Sequence, residues 1–202
     1  MVQAKKPYIP PTAKPTVNVP APYSKGREWF IQYLANKNGW TRGAELGIWR
    51  GRTFLHLLKH CPQLTVIGVD LWAPQPDNQG PENWMDWPHE KYEAHVRKMS
   101  QPFGERAVII KDTTDRAAMQ VEDGSLDFVF IDADHSSEAV ERDIRNWHPK
   151  VKDSGWIIGH DINWDSVCPV VEHHLPGYIV GPDNVWARPK GRLGIIITQV
   201  EI

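Results

Sequence analysis

The sequence predicts a doubly wound α/β fold: a mostly parallel, seven-stranded sheet that ends in a C-terminal antiparallel hairpin. Three observations predict it. Short apolar runs alternate with helix-period segments along most of the 202 residues, the pattern of parallel strands linked by helices. Five of those runs end on an acidic residue, namely Glu45, Asp70, Asp112, Asp132 and Asp161. An open α/β sheet binds ligands outside the carboxyl ends of its strands, and five carboxylates there read better as a polar site than as helix caps. The last two runs have no helix between them, so they should pair as a hairpin.

The elements follow in order. Residues 1–22 carry Pro7, Pro10, Pro11, Pro15, Pro20 and Pro22, which rules out a helix and leaves little to bury. This is an extended tail, either a disordered leader or an arm that wraps a second subunit of a homo-oligomer. Residues 23–202 read as a single domain without internal repeats. A helix is expected over about 25–38, with Trp29, Phe30, Tyr33 and Leu34 sharing a face and Gly39 as its stop. Strands are expected near 43–47, 64–70, 107–111, 126–132 and 155–160. The helices between and after them fall near 51–60, 88–100, 114–120, 136–148 and 165–174. The closing hairpin pairs 184–188 with the β-branched run 193–199 across Pro189–Arg192. An insert at about 72–88 holds Trp72, Trp84, Trp87 and several prolines. It is too aromatic for a linker and reads as a lid over the site, or as a subunit contact.

Composition excludes several classes. A net charge of −2 gives no reason to expect nucleic acid. No apolar run approaches the ~18 residues of a membrane span, and no signal-type apolar region follows Lys5 and Lys6. Cys61 and Cys168 lie far apart without C-x-x-C spacing and read as reduced thiols, so a cytoplasmic location is expected. The expected partner is a small molecule.

The stretch Ala44-Glu45-Leu46-Gly47-Ile48-Trp49-Arg50-Gly51 is a strand, a glycine turn and a helix start. It differs from the dinucleotide pattern G-x-G-x-x-G, because a carboxylate leads it. That charge would repel a pyrophosphate but suits the ammonium of a sulfonium-bearing amino acid. Asp70, at the end of the second strand, is placed to accept hydrogen bonds from ribose hydroxyls.

This pattern resembles motif I and the acidic loop of class I S-adenosylmethionine-dependent methyltransferases, whose Rossmann-like sheet also ends in an antiparallel hairpin. It is most similar to the branch with E-[LI]-G-x-x-x-G, which includes small metal-dependent O-methyltransferases acting on macrolide sugars and catechols. The similarity runs over roughly residues 40–200. It implies S-adenosylmethionine bound by Glu45, Gly47, Gly51 and Asp70, with Asp112 and Thr113 near the adenine and Asp132 adjoining the cofactor. Leu71 and Trp72 would flank the adenine ring. Trp49 stands where the commonest motif has glycine.

The chemical half lies in Asp132-Ala133-Asp134-His135 and in His160-Asp161-Ile162-Asn163. Adjacent parallel strands bring their tips about 5 Å apart, so Asp132 and Asp161 are expected to converge on one hard divalent cation. His135, three residues beyond Asp132, is a fitting general base for a hydroxyl proton. The resemblance agrees: it implies Asp132 and Asp161 as ligands, with His135 as base in a D-x-x-H pattern. His160 stands where that family more often has an acid or asparagine. As a third ligand it would turn preference from Mg²⁺ toward Mn²⁺ or another transition ion. Ser136 and Ser137 offer ordinary caps to the following helix. The activity expected is S-adenosylmethionine-dependent methylation of a small-molecule hydroxyl. Two alternatives remain at this point: metal-dependent hydrolysis at Asp132, His135, His160 and Asp161, or a non-catalytic cofactor-binding module.

Overall fold

The computed structural model describes Thr16, residues 19–73 and residues 88–191. The aromatic insert from 74 to 87, the C-terminal run 193–199 and most of the proline-rich tail lie outside the described residues.

Seven strands form one sheet: β1 (Arg42–Leu46), β2 (Thr65–Asp70), β3 (Ala107–Lys111), β4 (Leu126–Ile131), β5 (Val151–Gly159), β6 (Ile179–Val180) and β7 (Trp186–Pro189). Their order is β3-β2-β1-β4-β5-β7-β6. The first five are parallel, and β7 runs antiparallel to both β5 and β6. The order reverses between β1 and β4, where one half of the sheet grows outward through β2 and the other through β5. At such a switch point the loops part and leave a crevice at the carboxyl ends.

Strand periodicity sorts side chains to two faces. Leu46, Val69, Val129, Ile131 and Ile157 join one buried core, while Val66, Phe128, Phe130 and Ile158 join the other. The first core packs under α4 (Thr114–Ala118), α5 (Ser137–Trp147) and α6 (Cys168–His174). The second packs under α1 (Arg27–Asn38), α2 (Arg52–His60) and α3 (His89–Ser100). Burial on both faces explains why the central strands read as apolar runs without polar alternation.

The doubly wound sheet with antiparallel C-terminal strands is the one expected; the hairpin seen among the described residues adds β6 beside β7, and the expected partner run 193–199 lies outside the described residues. The partner of β7 is β6, which precedes it. The turn is Pro182–Val185, where Asp183 and Asn184 have φ of 58° and 55°, as a primed hairpin turn requires. Two residues of strand are too few to show a period, so β6 left no signal in the sequence.

Candidate active site

A cavity of about 330 Å³ opens where β1 and β4 part, a size suited to a small ligand. Its wall takes a residue at or just beyond the tip of each parallel strand: Gly47, Asp70, Asp112, Asp132 and Asp161. Backbone pairing fixes this convergence. The Gly47 N–H donates to the Val69 carbonyl at 2.8 Å, Asp132 N–H to the Leu46 carbonyl at 3.0 Å, and His160 N–H to the Ile131 carbonyl at 3.1 Å.

On the β1–β3 side the main chain builds the site. Gly47 has φ of 83°, and a Cβ there would collide with the Asp132 carbonyl, so only glycine lets the turn lie against the end of β4. Asp70 accepts backbone N–H bonds from Trp49 and Trp72, each at 2.7 Å. Both tryptophans hold positive φ, 44° and 43°, a strained conformation that the two bonds to Asp70 help to fix. Burial pushes the Asp70 pKa up, and these amide bonds pull it back. Asp112 Oδ1 accepts the Thr113 N–H at 2.8 Å. The Thr113 hydroxyl in turn caps α4 by accepting the Arg116 N–H at 3.4 Å. Glu45 is only 3% exposed. Burial, then the neighbouring Asp132 charge, holds its pKa well above the usual carboxylate range, against the pull of Arg27.

Two of the expected positions, Trp72 and Gly51, lie outside the lining. Leu71 lines the cavity, but Trp72 does not; it turns into the core, with its indole Nε1 donating to the Trp49 carbonyl at 2.8 Å. Trp72 has φ of 43° and its ring is buried in the core under α1, α2 and α3. Gly51 opens α2 with φ of 80° and stays outside the lining.

On the β4–β5 side the site is built by side chains from distant elements. Asp132, His135 and Asp161 each offer an atom within 4.8 Å of the others. His135 Nε2 lies 2.8 Å from Asp161 Oδ2 and 3.5 Å from Asp132 Oδ1, an ion-pair distance to each, and the atom is shut off from solvent. Burial pulls the His135 pKa down, but Asp132 and Asp161 more than reverse this and hold it at about 9. For Asp161 burial raises the pKa, and bonds from His135 and His160 overcome it, holding the carboxyl well below its ordinary value. Asp161 also adopts φ of 55°, a strained tip beside the reacting groups.

His160 is placed beside the triad. Its Nδ1 is 3.0 Å from Asp161 Oδ2, and both ring nitrogens lie 3.2 Å from Arg27 Nη1. A proton on Nδ1 donating to Asp161, with Nε2 accepting from Arg27, satisfies all three groups. With the proton assigned to Nδ1, the nitrogen facing Asp161 offers no lone pair to a metal, whereas His135 Nε2 offers one once its proton is lost.

A family model described as a methyltransferase domain matches residues 44–162, more than half of the chain. The chain belongs to that family. Solved structures add the fold. The methyltransferase is similar to a cofactor-bound protein from MTB, at 18% identity over 87% of this chain and 83% of that one, with a TM-score of 0.58. It is similar to a calicheamicin methyltransferase at 14% identity over 81% and 77% of the two chains, with a TM-score of 0.63. A protein of Staphylococcus aureus assigned as a caffeoyl-CoA O-methyltransferase shares 16% identity over 79% and 80%, with a TM-score of 0.59. No curated protein matches the chain in sequence. Among the described residues no helix is long and apolar enough to cross a membrane.

Several cavity residues of the methyltransferase carried no sequence signal. Arg27, the first residue of α1, reaches the site and pairs with Asp132 Oδ2 at 3.4 Å. Trp164 lies against His135 with ring centroids 4.8 Å apart. Asp143 on α5 also lines the cavity, with burial pushing its carboxyl up to about 7. Asp134, by contrast, takes a local role, its Oδ1 accepting the Ser136 N–H at 2.7 Å ahead of the Ser136 cap of α5.

Proposed function

We propose that the protein transfers the methyl group of S-adenosylmethionine to a hydroxyl of a small molecule with the help of a divalent cation. The observation that carries this reading is the triad of Asp132, His135 and Asp161 at one end of a cavity whose other end holds Gly47, Asp70 and Asp112. Family membership supports the methyl donor and sets the hydrolytic alternative aside.

The residues present fit a cation. Two carboxylates and one imidazole nitrogen converge within 4.8 Å of one another, a donor set of the kind that holds a divalent ion. Asp132, His135 and Asp161 would hold Mg²⁺ or Mn²⁺ there. When bound, such an ion supplies Lewis acidity that lowers the pKa of a neighbouring hydroxyl. Asp70 would accept the ribose hydroxyls, and Glu45 would meet the ammonium of the methionine moiety. Asp112 and Leu71 would bound the adenine. Arg27 holds the outer oxygen of Asp132 and so keeps Oδ1 turned to the triad. The chain then acts mainly by orientation, setting the acceptor oxygen in line with the methyl group.

In this reading His135 is a ligand first. Serving as the base expected from sequence requires a free, neutral Nε2, and the two carboxylates oppose that by holding its pKa at about 9. The test is a pair of titrations on the wild type: S-adenosylhomocysteine by calorimetry and Mn²⁺ by paramagnetic resonance. Both are expected to bind. Mn²⁺ remaining entirely free would defeat the cation, and no binding of S-adenosylhomocysteine would defeat the function.

A further inference from the structure

We propose that His56 and His60 of α2, with Gln32 of α1, form a second cation site, for a borderline transition ion of the Zn²⁺ class, at the contact between the two helices. None of the three residues lines the cavity, and the inference does not depend on the methyltransferase reading.

The site follows from how α2 is laid down. Its core side is Thr53, Phe54, Leu57 and Leu58. His56 and His60 stand at i and i+4, so they share the next face. This is the spacing at which one helix offers two imidazoles to one zinc ion. That face meets α1. The Trp29 ring lies against both imidazoles, with centroids 4.7 Å from His56 and 5.8 Å from His60. Gln32 is buried, and its Oε1 is 2.7 Å from His56 Nε2.

The distances suit coordination. An ion ~2.1 Å from a ligating nitrogen lies roughly 3.2 Å from the centre of that ring. Two such rings at right angles about the ion have centres about 4.5 Å apart. The His56 and His60 centroids are 4.4 Å apart. The short gap from His56 Nε2 to Gln32 Oε1 is likewise near the ~3 Å between adjacent ligands of one ion. Side-chain rotation alone completes the set.

The protonation states agree. Burial first, and then the neighbouring His60, pull the His56 pKa down to about 4 against the attraction of Glu28. The ring is neutral at physiological pH, and neutral imidazole is the ligating form. Without an ion, His56 Nε2–H donates to Gln32 Oε1. An entering ion moves that proton to Nδ1, a change of tautomer with no net proton lost. His60 makes ring contacts but no hydrogen bond among the described residues. Of the charged neighbours that His56 feels, Arg52 and Lys59 oppose a cation and Glu28 favours one. Two imidazoles and an amide oxygen select Zn²⁺, Cu²⁺ or Ni²⁺ over Mg²⁺, unlike the carboxylate-rich triad. An ion here ties α1 to α2, whose first residues Arg27 and Arg52 both reach the cavity wall.

The experiment titrates Zn²⁺ by calorimetry into Asp132→Ala, which disables the triad. The same titration is run on Asp132→Ala carrying His60→Gln or, as a control, His95→Gln on the exposed side of α3. Asp132→Ala is expected to bind Zn²⁺ with Kd on the order of micromolar, because three neutral ligands fall short of a closed four-ligand site. His60→Gln should weaken this by on the order of tenfold or more, since even the outer partners of a ligand are worth that much. His95→Gln should leave it unchanged. Saturating Zn²⁺ should raise the thermal midpoint of Asp132→Ala and not that of the His60→Gln double variant. Absence of Zn²⁺ binding to folded Asp132→Ala, or equal binding with and without His60→Gln, overturns the inference and leaves these rings as packing. If Asp132→Ala does not fold, His60→Gln alone decides: it should take up less Zn²⁺ than the wild type, and equal uptake overturns the site. Failure here leaves the proposed function standing, because S-adenosylhomocysteine binding is measured separately.

Discussion

The two ends of the cavity are made of the same residue type held in different ways. On the β1–β3 side two tip carboxylates are tied by main chain: Asp70 by the amides of Trp49, on the turn after β1, and of Trp72, and Asp112 by that of Thr113. On the β4–β5 side the carboxylates are tied by side chains from other elements. Asp132 meets Arg27 of α1, and Asp161 meets His135 from the neighbouring strand's loop. The first end is a preformed cradle in which Asp70 and Asp112 are satisfied before any ligand arrives, while Glu45 keeps a buried oxygen without a partner. The second is an electrostatic balance, with Arg27 and a protonated His135 offsetting two carboxylates; in the proposed reading a divalent ion would enter it by displacing the His135 proton. Backbone cradles suit a cofactor of fixed shape. Exchangeable charge suits chemistry.

The sharpest way to break this comparison is a pair of substitutions, one at each end. Asp132→Ala removes a carboxylate from the triad and should weaken Mn²⁺ by on the order of a hundredfold or more, since the remaining ligands are too few. Its affinity for S-adenosylhomocysteine should stay within about threefold, as the main-chain cradle is untouched. Asp70→Ala should do the reverse. It removes the ribose acceptor and frees two strained tryptophan amides, so calorimetry should show roughly ten- to hundredfold weaker S-adenosylhomocysteine binding. Its Mn²⁺ resonance spectrum should be unchanged. If either variant loses both ligands alike, the two ends are not separate and the comparison fails.

The same contrast explains what the sequence revealed. Glu45, Gly47, Asp70, Asp112, Asp132 and Asp161 were legible because each follows an apolar run, and a parallel sheet carries every such tip to one edge. That logic is local plus topological, and it does not need side-chain packing. Arg27 lies 105 positions before Asp132 in the chain, and at the start of a helix it looks like any solvated arginine. Trp164 and Asp143 sit in segments whose periodicity speaks only of helix and loop. The direction of a ring is equally silent: Trp72 follows Asp70 closely enough to suggest an adenine contact, but its ring is buried in the core. The two-residue β6 is silent in the sequence because a period needs more than one repeat.

A second prediction sharpens the chemical end by pH. In the metal-free protein Asp132 and Asp161 hold the His135 pKa at about 9. A metal needs the neutral imidazole, so binding must expel that proton. Below pH 9 Mn²⁺ affinity should therefore rise about tenfold per pH unit, levelling off above it. The metal-free stability should move the other way. The folded pKa is raised above the ordinary 6.5, so the stabilisation is complete below about pH 6.5 and is lost as pH climbs through 9. His135→Gln should flatten both profiles. A steep stability profile with a flat Mn²⁺ profile would return His135 to the role of base and leave the cation to Asp132 and Asp161.

The smallest expected effect tests whether the cradle end is as local as it looks. Thr113 lines the cavity and also caps α4, accepting the Arg116 N–H at a long 3.4 Å. If its hydroxyl serves the helix, Thr113→Ala should cost about 0.5 kcal/mol, the low end for a cap. For a chain of this length that lowers the melting temperature by roughly 1–2 °C. Thr113→Ser keeps the hydroxyl and should restore that difference. In both variants S-adenosylhomocysteine affinity should stay within about threefold, because Asp112 remains tied by the residue 113 amide whatever the side chain. Should Thr113→Ala instead leave the melting temperature alone and weaken the cofactor product tenfold, the hydroxyl belongs to the ligand. The cradle would then be built by side chains as well as main chain, and the distinction between the two ends would narrow to the triad and Arg27.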